Sequence, residues 1–173
     1  MKTISKIFAL SLVVLGFSTA SFAQSTATAT ASATLLTPIS ISKTADMSFG
    51  TLASNAVGGS VTLTPAGVIT ASGTGVRIMN NSTGTAASFT VTGEAGQSFS
   101  ISHPATITLT SGSNSLTVNS IINDVTNSNS GSGTVATGGT KVINLGGVLV
   151  VPANAPKGTY SNTTDLTVTV NYN

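Results

Sequence analysis

The segment ATITLTSGSNSLTV, residues 105–118, decides how the chain is expected to fold. Its apolar residues alternate with threonine and serine, and a two-residue period divides the side chains between the two faces of a β-strand. Gly112 lies midway and supplies a turn. The segment therefore predicts a hairpin whose two arms place their aliphatic residues face to face: Ile107, Leu109, Leu116 and Val118.

The same two-residue period recurs along the chain. Turn residues separate the alternating segments at intervals of about eight to twelve residues, which is typical of an antiparallel sandwich or barrel. Phe49, Phe89 and Phe99 share the parity of neighbouring aliphatic residues, so we expect them in the core. Near the end, KVINLGGVLVVPANAPKGTY (residues 141–160) predicts a pair of strands that leads into a proline- and glycine-rich corner. These patterns predict an all-β fold.

The first 23 residues have the form of a cleavable signal peptide. Lys2 and Lys6 precede an apolar run over residues 7–17, and small residues up to Ala23 provide a cleavage site. The apolar run is shorter than the roughly 20 residues that a membrane-spanning helix requires. We therefore expect a protein exported to the periplasm, the cell surface or the medium, with no stable insertion in a membrane.

Residues 24–173 are expected to form a single domain without net charge. The six basic residues of the chain include Lys2 and Lys6, so those that remain after cleavage equal the four acidic residues in number. A neutral surface lacks the positive charge that nucleic-acid binding requires, and we predict no nucleic-acid partner. Because the chain has no cysteine, strand pairing and apolar packing must stabilise it in place of disulfides.

One long polar segment interrupts the alternation. Residues 127–140, NSNSGSGTVATGGT, are rich in glycine, serine and asparagine. Such a composition offers few side chains for a packed strand. We expect residues 127–140 to form a mobile loop.

The sequence offers little material for a catalytic or metal site. His103 is the only histidine, and it stands directly before Pro104, where a solvated turn residue is the simpler interpretation. No local carboxylate would help it act as a base, and ligands for zinc or calcium are too few and too scattered. We therefore predict no enzymatic activity, no catalytic residue, no cofactor and no bound metal.

A carbohydrate- or matrix-binding module is the alternative from another class of function. Sandwich modules of this kind usually present exposed aromatic rings to the sugar. Within residues 24–173, Tyr160 and Tyr172 are the two aromatic residues that are not expected in the core. The alternative therefore depends on the exposure of these two side chains.

Three parts of the chain resemble an uncharacterised bacterial domain family of exported proteins. TPISISKTADMSFGTL (residues 37–52) and GGVLVVPANAPKGTYSNTTDLTVTVNYN (residues 146–173) are similar to its two ends. ASFTVTGEAGQSFSISHPATITLTSG (residues 87–112) has the family's succession of strand, glycine turn, strand and proline turn. The resemblance covers nearly all of residues 24–173, and it implies the fold of that family rather than a role.

The layout is also similar to that of the spore-coat-U-like and fimbrial subunits. The shared motifs are Phe49-Gly50-Thr51 near the start, a corner with Gly158 and Tyr160, and a last strand with a penultimate tyrosine, Tyr172. This similarity implies an immunoglobulin-like, pilin-like antiparallel β-sandwich that is incomplete by itself. In such subunits a strand from the next subunit completes the sandwich.

Residues 25–36, STATATASATLL, alternate alanine with serine and threonine and therefore predict a strand. This strand pairs either within its own domain or with a neighbouring copy, and the sequence leaves both alternatives open. Pro38 favours the domain's own strand, because proline belongs at a strand edge or at a crossing between sheets. The candidate pairing residues lie on this strand and on the last one: Ala27, Ala29, Ala31, Ala33, Leu35, Leu166, Val168, Val170 and Tyr172.

The sequence thus predicts a non-enzymatic, exported structural or adhesive protein of the bacterial surface. Within that class we expect a pilus-like subunit that assembles by β-strand addition. Its partners would be further copies of itself, in a homo-polymer, or other surface subunits. Main-chain hydrogen bonds would supply the affinity. The small side chains favour the domain's own strand, because alanine methyl groups bury little surface and a strand that holds copies together is expected to carry bulkier residues.

Overall fold

The computed structural model describes residues 24–173, and every regular element in them is a β-strand. This part of the chain contains no helix, which confirms the all-β prediction. The predicted signal peptide, residues 1–23, lies outside the described residues. In chain order the strands are β1 (Ser40–Ala45), β2 (Leu52–Ser54), β3 (Gly59–Leu63), β4 (Ile69–Ser72), β5 (Val76–Ile78), β6 (Ala87–Thr92), β7 (Ser98–Ser102), β8 (Ile107–Ser111), β9 (Asn114–Asn123), β10 (Ser130–Thr134), β11 (Thr140–Val151) and β12 (Thr169–Tyr172).

Seven of these strands form one antiparallel sheet around the long strand β11. The first half of β11 pairs with β6, whose other edge pairs with β1. The second half pairs with β3, which is followed by β4. On the opposite side of β11 lie β9 and then β8. On one side, therefore, the central strand β11 changes its neighbour halfway along its length, from β6 to β3.

Two glycines mark this change of partner within β11. β6 pairs with β11 as far as Leu145, and β3 pairs with it from Gly147 onward. A Cβ atom on Gly146 would lie 2.2 Å from the carbonyl oxygen of Leu63, so only glycine allows the backbones to approach so closely. The prediction of two strands in this region is wrong, because the glycine pair lies within one continuous strand.

The hairpin predicted for residues 105–118 is confirmed. β8 and β9 are antiparallel neighbours, and their register places Ile107 opposite Val118 and Leu109 opposite Leu116. Gly112 occupies the turn with a φ of 59°, a conformation that favours glycine. Local period and turn chemistry thus define this pairing.

A second layer packs against the large sheet across the hydrophobic core. It contains a three-stranded antiparallel sheet in the order β10-β7-β12 and the two-stranded pair of β2 and β5. The middle strand β7 buries Phe99 and Ile101 in the same core as the aliphatic residues of the large sheet. Antiparallel layers around one core confirm the predicted sandwich-like architecture.

Part of the segment predicted as a loop, residues 127–140, is instead a strand. β10 (Ser130–Thr134) pairs with β7 over its whole length. The prediction failed because the small residues here serve packing: a Cβ on Gly133 would lie 2.9 Å from the ring of Phe99. The buried Phe99 therefore selects glycine in a strand that sequence composition assigns to a loop.

The core follows the two-residue period that the sequence predicts. Phe49, Phe89 and Phe99 are 7%, 8% and 0% exposed, which confirms their assignment to the core. The remaining core residues are aliphatic: Val61, Leu63, Val76, Ala87, Val91, Ile101, Ile107, Leu116, Val118, Ile121, Val135, Ile143, Leu145, Leu149 and Val151. Threonine, serine and asparagine occupy most of the alternate positions.

The alanine-rich N-terminal segment, residues 25–36, forms no strand. Residues 24–39 have no strand assignment, and every side chain from residue 24 to 38 is exposed. Leu36–Asn173 is one compact unit, while the preceding residues belong to another. Pairing within the domain, one of the two predicted alternatives, is therefore not found. Donation to a second copy stays a prediction.

Candidate functional site

A cavity of about 1000 Å³ lies on the inner face of the large sheet. Ligand pockets in proteins measure about 300–1,000 Å³, so this cavity is at the upper end of the range. We call it the open cavity. Its floor consists of apolar side chains from β6, β8, β9 and β11: Ala87, Phe89, Ile107, Leu109, Leu116, Val118, Leu149 and Val151.

Two segments with little strand pairing form the rest of the lining, namely residues 43–54 and residues 155–166. The first contains the end of β1, an isolated bridge from Ser48 and the short strand β2. The second makes a single bridge, from Ser161 to β8. Neither segment pairs along its length. The second layer therefore has no continuous strand over this part of the large sheet.

Charged groups in the lining lie away from the apolar floor. Lys43 forms an ion pair with Asp46, and both side chains are largely exposed. Lys157 is also exposed. Among the described residues no buried side-chain nitrogen or oxygen lacks a hydrogen-bond partner. The floor of the open cavity therefore offers a guest apolar contact, while the two surrounding segments add polar side chains to the rest of the lining.

The motif residues Phe49 and Gly50 lie in the first of these lining segments. Phe49 is buried in the core and also lines the open cavity. Gly50 has a φ of 71°, and a Cβ there would lie 2.2 Å from the hydroxyl oxygen of Ser82. That hydroxyl accepts a hydrogen bond from the backbone nitrogen of Thr51. The motif thus turns the chain sharply after Phe49, which brings β2 to the cavity.

Gly158 and Tyr160 form the corner in the second lining segment. The hydroxyl of Tyr160 donates to the carbonyl oxygen of Pro156 at 2.7 Å, four residues upstream. This contact has the form of the tyrosine corners that fix chain reversals in immunoglobulin-like sandwiches. Gly158 lies against Ser111 of β8, and a Cβ would be 2.5 Å from the Ser111 hydroxyl oxygen. The corner is therefore held close to the edge of the large sheet.

The last strand has one free backbone edge. Leu166, Val168, Val170 and Tyr172 are half-buried and alternate with exposed residues, as predicted, but pairing begins only at Thr169. Asn173 donates its backbone N–H to Ser98 of β7, which identifies the residues that bond to β7. Since bonding alternates along an antiparallel strand, the N–H and C=O of Val170 and Tyr172 point away from β7.

Tyr172 also fixes the chain just before β1. Its hydroxyl donates to the carbonyl oxygen of Thr37 at 2.7 Å and accepts from the backbone N–H of Glu94 at 2.6 Å. The Glu94 carboxylate in turn accepts from the hydroxyl and the backbone N–H of Thr37, at 2.8 and 3.2 Å. These three residues, which we call the terminal clamp, define where the N-terminal segment leaves the domain.

The clamp affects the ionisation of Glu94. The hydrogen bond from the Thr37 hydroxyl, and then that from its backbone N–H, lower the pKa of the Glu94 carboxyl from its ordinary value. Both bonds favour the charged carboxylate over the protonated acid. Glu94 therefore stays ionised and bound to Thr37 at neutral pH.

His103 is buried rather than solvated, so the interpretation of it as a solvated turn residue is wrong. It is 7% exposed, with Nδ1 3.1 Å from the carbonyl oxygen of Pro104 and Nε2 3.3 Å from the side-chain nitrogen of Asn123. Since an amide and a carbonyl flank the ring, Nδ1 donates and Nε2 accepts. The described residues contain no group of three or more histidine or acidic side chains placed to hold a metal ion.

The structure brings some of the predicted residues together and not others. Phe49, Gly50, Gly158, Tyr160 and Leu166 all line the open cavity. Val168 follows Leu166 just before β12, and Val170 and Tyr172 lie in β12. Ala27, Ala29, Ala31, Ala33 and Leu35 are exposed on a segment without strand structure.

Sequence reasoning missed the open cavity and two residues of the terminal clamp. The floor residues have the pattern of an ordinary core, and nothing in their spacing shows that their cover is incomplete. Thr37 and Glu94 are 57 positions apart, so their contact has no local signature. Only the tertiary structure identifies these features.

Comparison with known proteins places the whole sandwich in one family. In the described part of the chain, no helix is long and apolar enough to span a bilayer. No curated protein matches the sequence, and no solved structure matches it, so the similarity to spore-coat-U-like and fimbrial subunits stays a prediction. The family model described as Domain of unknown function (DUF4402) matches residues 39–172, a range that includes all twelve strands, and the chain therefore belongs to this family.

Proposed function

We propose that the protein is a non-enzymatic structural subunit of the bacterial surface that assembles by β-strand addition. Residues 25–36 of one copy would pair with a sheet edge of the next. The observation that supports this proposal is the state of that segment: it has the alternation of a strand, yet it is exposed and pairs with nothing regular. In β-augmentation an extended segment of this kind adds as a strand to the exposed edge of a sheet.

The energetics indicate that main-chain pairing would dominate the association. Each alanine methyl contributes about 0.8 kcal/mol at most, and burial of Leu35 adds about 1.5–3 kcal/mol. Each main-chain hydrogen bond contributes about 0.5–1.5 kcal/mol more, after the loss of the hydrogen bonds to water that it replaces. A 12-residue strand forms several such bonds. The association would therefore tolerate small side chains as long as the strand stays extended.

The environment of His103 supports a role without catalysis. Both of its ring nitrogens are engaged, by Pro104 and by Asn123, and neither contact is a carboxylate. A general base needs a free nitrogen within reach of a substrate proton. The proposal therefore assigns His103 to packing.

The tyrosine environments give no support to the carbohydrate-binding alternative. Tyr160 and Tyr172 are both half-buried, and both hydroxyls are bonded to backbone carbonyl oxygens. A sugar platform requires the exposed face of a ring. Strand addition is the function that the geometry supports better.

The test compares three chains that begin at Gln24. One has the native sequence, one carries Ala29→Asp and Ala31→Asp, and the matched control carries Thr28→Asp and Thr30→Asp on the other face of the predicted strand. We expect concentration-dependent ladders or fibres, seen by light scattering and electron microscopy, for the native chain and the control. The alanine-face variant should remain monomeric, because a buried carboxylate opposes insertion. A native chain that stays monomeric at high concentration contradicts the proposal.

A further inference from the structure

Three of the edge strands, β8, β10 and β12, differ in what they offer to an added strand. The outer edge of β8 is already occupied, because Thr110 and Ser161 exchange two backbone hydrogen bonds of 2.9 and 3.0 Å. The side-chain amide of Asn162 also donates to the carbonyl oxygen of Thr108 on this edge. β8 is therefore covered against a further strand, as exposed edges in natural proteins often are.

The outer edge of β10 offers little to hold a guest. Its sequence, Ser130–Thr134, is SGSGT and contains no apolar side chain. An added strand there would gain backbone bonds without apolar burial on its inner face. The edge is also weak in defining register, because glycine-rich strands pair in several registers with similar energy.

The edge of β12 combines unpaired backbone with an adjacent apolar space. Val170 and Tyr172 direct their N–H and C=O groups away from β7, and Leu166, on the same alternating stretch, lines the open cavity. A guest strand along this edge would therefore place one face of its side chains toward the cavity floor. No charged side chain belongs to that floor, and residues 25–36 carry no charge either.

The terminal clamp limits how the chain can use its own N-terminal segment. Thr37 is bonded to Tyr172, at the C-terminal end of β12, and β1 begins three residues later, at Ser40. A segment that reaches back along β12 from Thr37 runs in the same direction as β12. The domain's own segment would therefore pair in parallel, which is the less stable arrangement per residue. A segment from a second copy has no such restriction.

We infer that the β12 edge and the open cavity receive residues 25–36 of a second copy, running antiparallel to β12. This inference rests on the proposed function and identifies its acceptor site. Because β-strand side chains alternate, the odd-numbered residues of the guest, Ala27 to Leu35, enter the cavity side while the serines and threonines face outward. The guest supplies the continuous strand that the second layer lacks.

Engineered disulfides test both the site and the direction, since the native chain has no cysteine. Full-length processed chains each carry one cysteine: a donor set at positions of the alanine face, an acceptor set on the last strand, and a control on the outer face of β11. Donors and acceptors, distinguished by a small mass tag, are mixed, allowed to assemble, oxidised and separated without reductant. The donor variants are Ala29→Cys, Ala31→Cys and Ala33→Cys; the acceptors are Leu166→Cys, Val168→Cys and Val170→Cys; the control is Val142→Cys.

An antiparallel guest gives a defined shift in the preferred acceptor. A disulfide needs Cα atoms about 4.4–6.8 Å apart, so only residues directly opposite or nearly so will join. As the donor cysteine moves from residue 29 toward residue 33, the favoured acceptor should move in the opposite direction, from residue 170 toward residue 166. The exposed control at Val142 should yield no donor disulfide above the background of random collision.

The outcomes separate the inference from the proposed function. Chains that do not assemble at all contradict the proposed function itself. The inference is overturned, and the proposed function left standing, if the chains assemble but the disulfides shift in the parallel direction, form equally with the Val142 control, or do not form with the acceptor positions 166–170. The donor positions are exposed in the single chain, so the donor variants should retain the native fold. The acceptor positions are half-buried, and a cysteine there could disturb the fold. Thermal melting of each acceptor variant checks that point before mixing.

Discussion

The hydroxyl of Tyr172 donates a hydrogen bond of 2.7 Å to the carbonyl oxygen of Thr37, 135 residues earlier in the chain. The contact joins the last strand to the residue that directly follows the exposed N-terminal segment. Glu94 completes the arrangement, with its backbone bonded to the tyrosine and its carboxylate bonded to the threonine. One side chain therefore fixes the end of the fold and the exit point of the segment proposed to leave it.

Tyr172→Phe should lower the free energy of unfolding by about 1–3 kcal/mol, since the change removes two hydrogen bonds at about 0.5–1.5 kcal/mol each. Tyr160→Phe is the matched control, because it removes a single bond, to Pro156. Urea unfolding should place Tyr160→Phe between the native chain and Tyr172→Phe. Equal losses for the two variants would show that the contacts with Thr37 and Glu94 contribute nothing beyond an ordinary tyrosine corner.

The lowered pKa of Glu94 predicts a loss of stability in acid. Its carboxylate is favoured in the folded state by the bonds from Thr37, so this contribution is complete above the ordinary pKa of 4.5 and disappears as the pH falls through the folded value. Melting temperatures of the native chain and of Glu94→Gln should differ at neutral pH and converge in acid. A difference that is the same at both pH values would contradict the assigned cause.

Sequence patterns predicted the features that depend on local chemistry. The β8–β9 hairpin has a strict two-residue period on both arms and a glycine at its turn, so register and turn are specified within 14 residues. The three phenylalanines share the parity of their neighbours, which is sufficient to assign them to the core. The prediction holds where large apolar residues alternate with polar ones, whereas residues 25–36, which alternate alanine with serine and threonine, form no strand.

Features that depend on distant packing were not predictable in this way. β10 is a strand because its glycines fit against Phe99, although composition alone favours a loop. β11 passes straight through Gly146 because Leu63 of another strand requires the space. The open cavity follows from what the segments over the large sheet fail to cover. Each of these outcomes depends on residues far apart in the sequence.

Gly146→Ala should destabilise the protein by on the order of 1–3 kcal/mol, as overpacking in a close-packed core typically does. The new methyl would lie 2.2 Å from the Leu63 carbonyl oxygen, a backbone atom that moves only if β3 moves. Gly138→Ala is the control, because no atom lies within 4 Å of its Cβ position. Denaturant unfolding should show a change of less than about 0.5 kcal/mol for that variant. Similar losses at both positions would remove the explanation for the glycine in β11.

Asn123→Ala should cost at least about 2 kcal/mol, because buried polar groups left without partners cost on the order of 1–3 kcal/mol each. Asn123 is fully buried, accepts from the backbone N–H of Val125 and Thr126, and donates to the carbonyl oxygen of Ser128. The exposed Asn114→Ala serves as the control. The free energy of unfolding of both variants is measured in urea. Equal losses for Asn123→Ala and Asn114→Ala would contradict the prediction.

Removal of residues 24–36 should leave the free energy of unfolding of the isolated domain nearly unchanged, within about 0.5 kcal/mol, since exposed side chains usually contribute little to stability. The segment has no strand and no buried side chain, and all twelve strands begin after it. The measurement is thermal melting at a concentration low enough to keep the native chain monomeric, compared with a chain that begins at Thr37. At high concentration the two chains should differ, because only the native one carries a strand to donate. A large loss of stability in the dilute monomer would mean that the segment pairs within its own domain, and would remove the basis for donation.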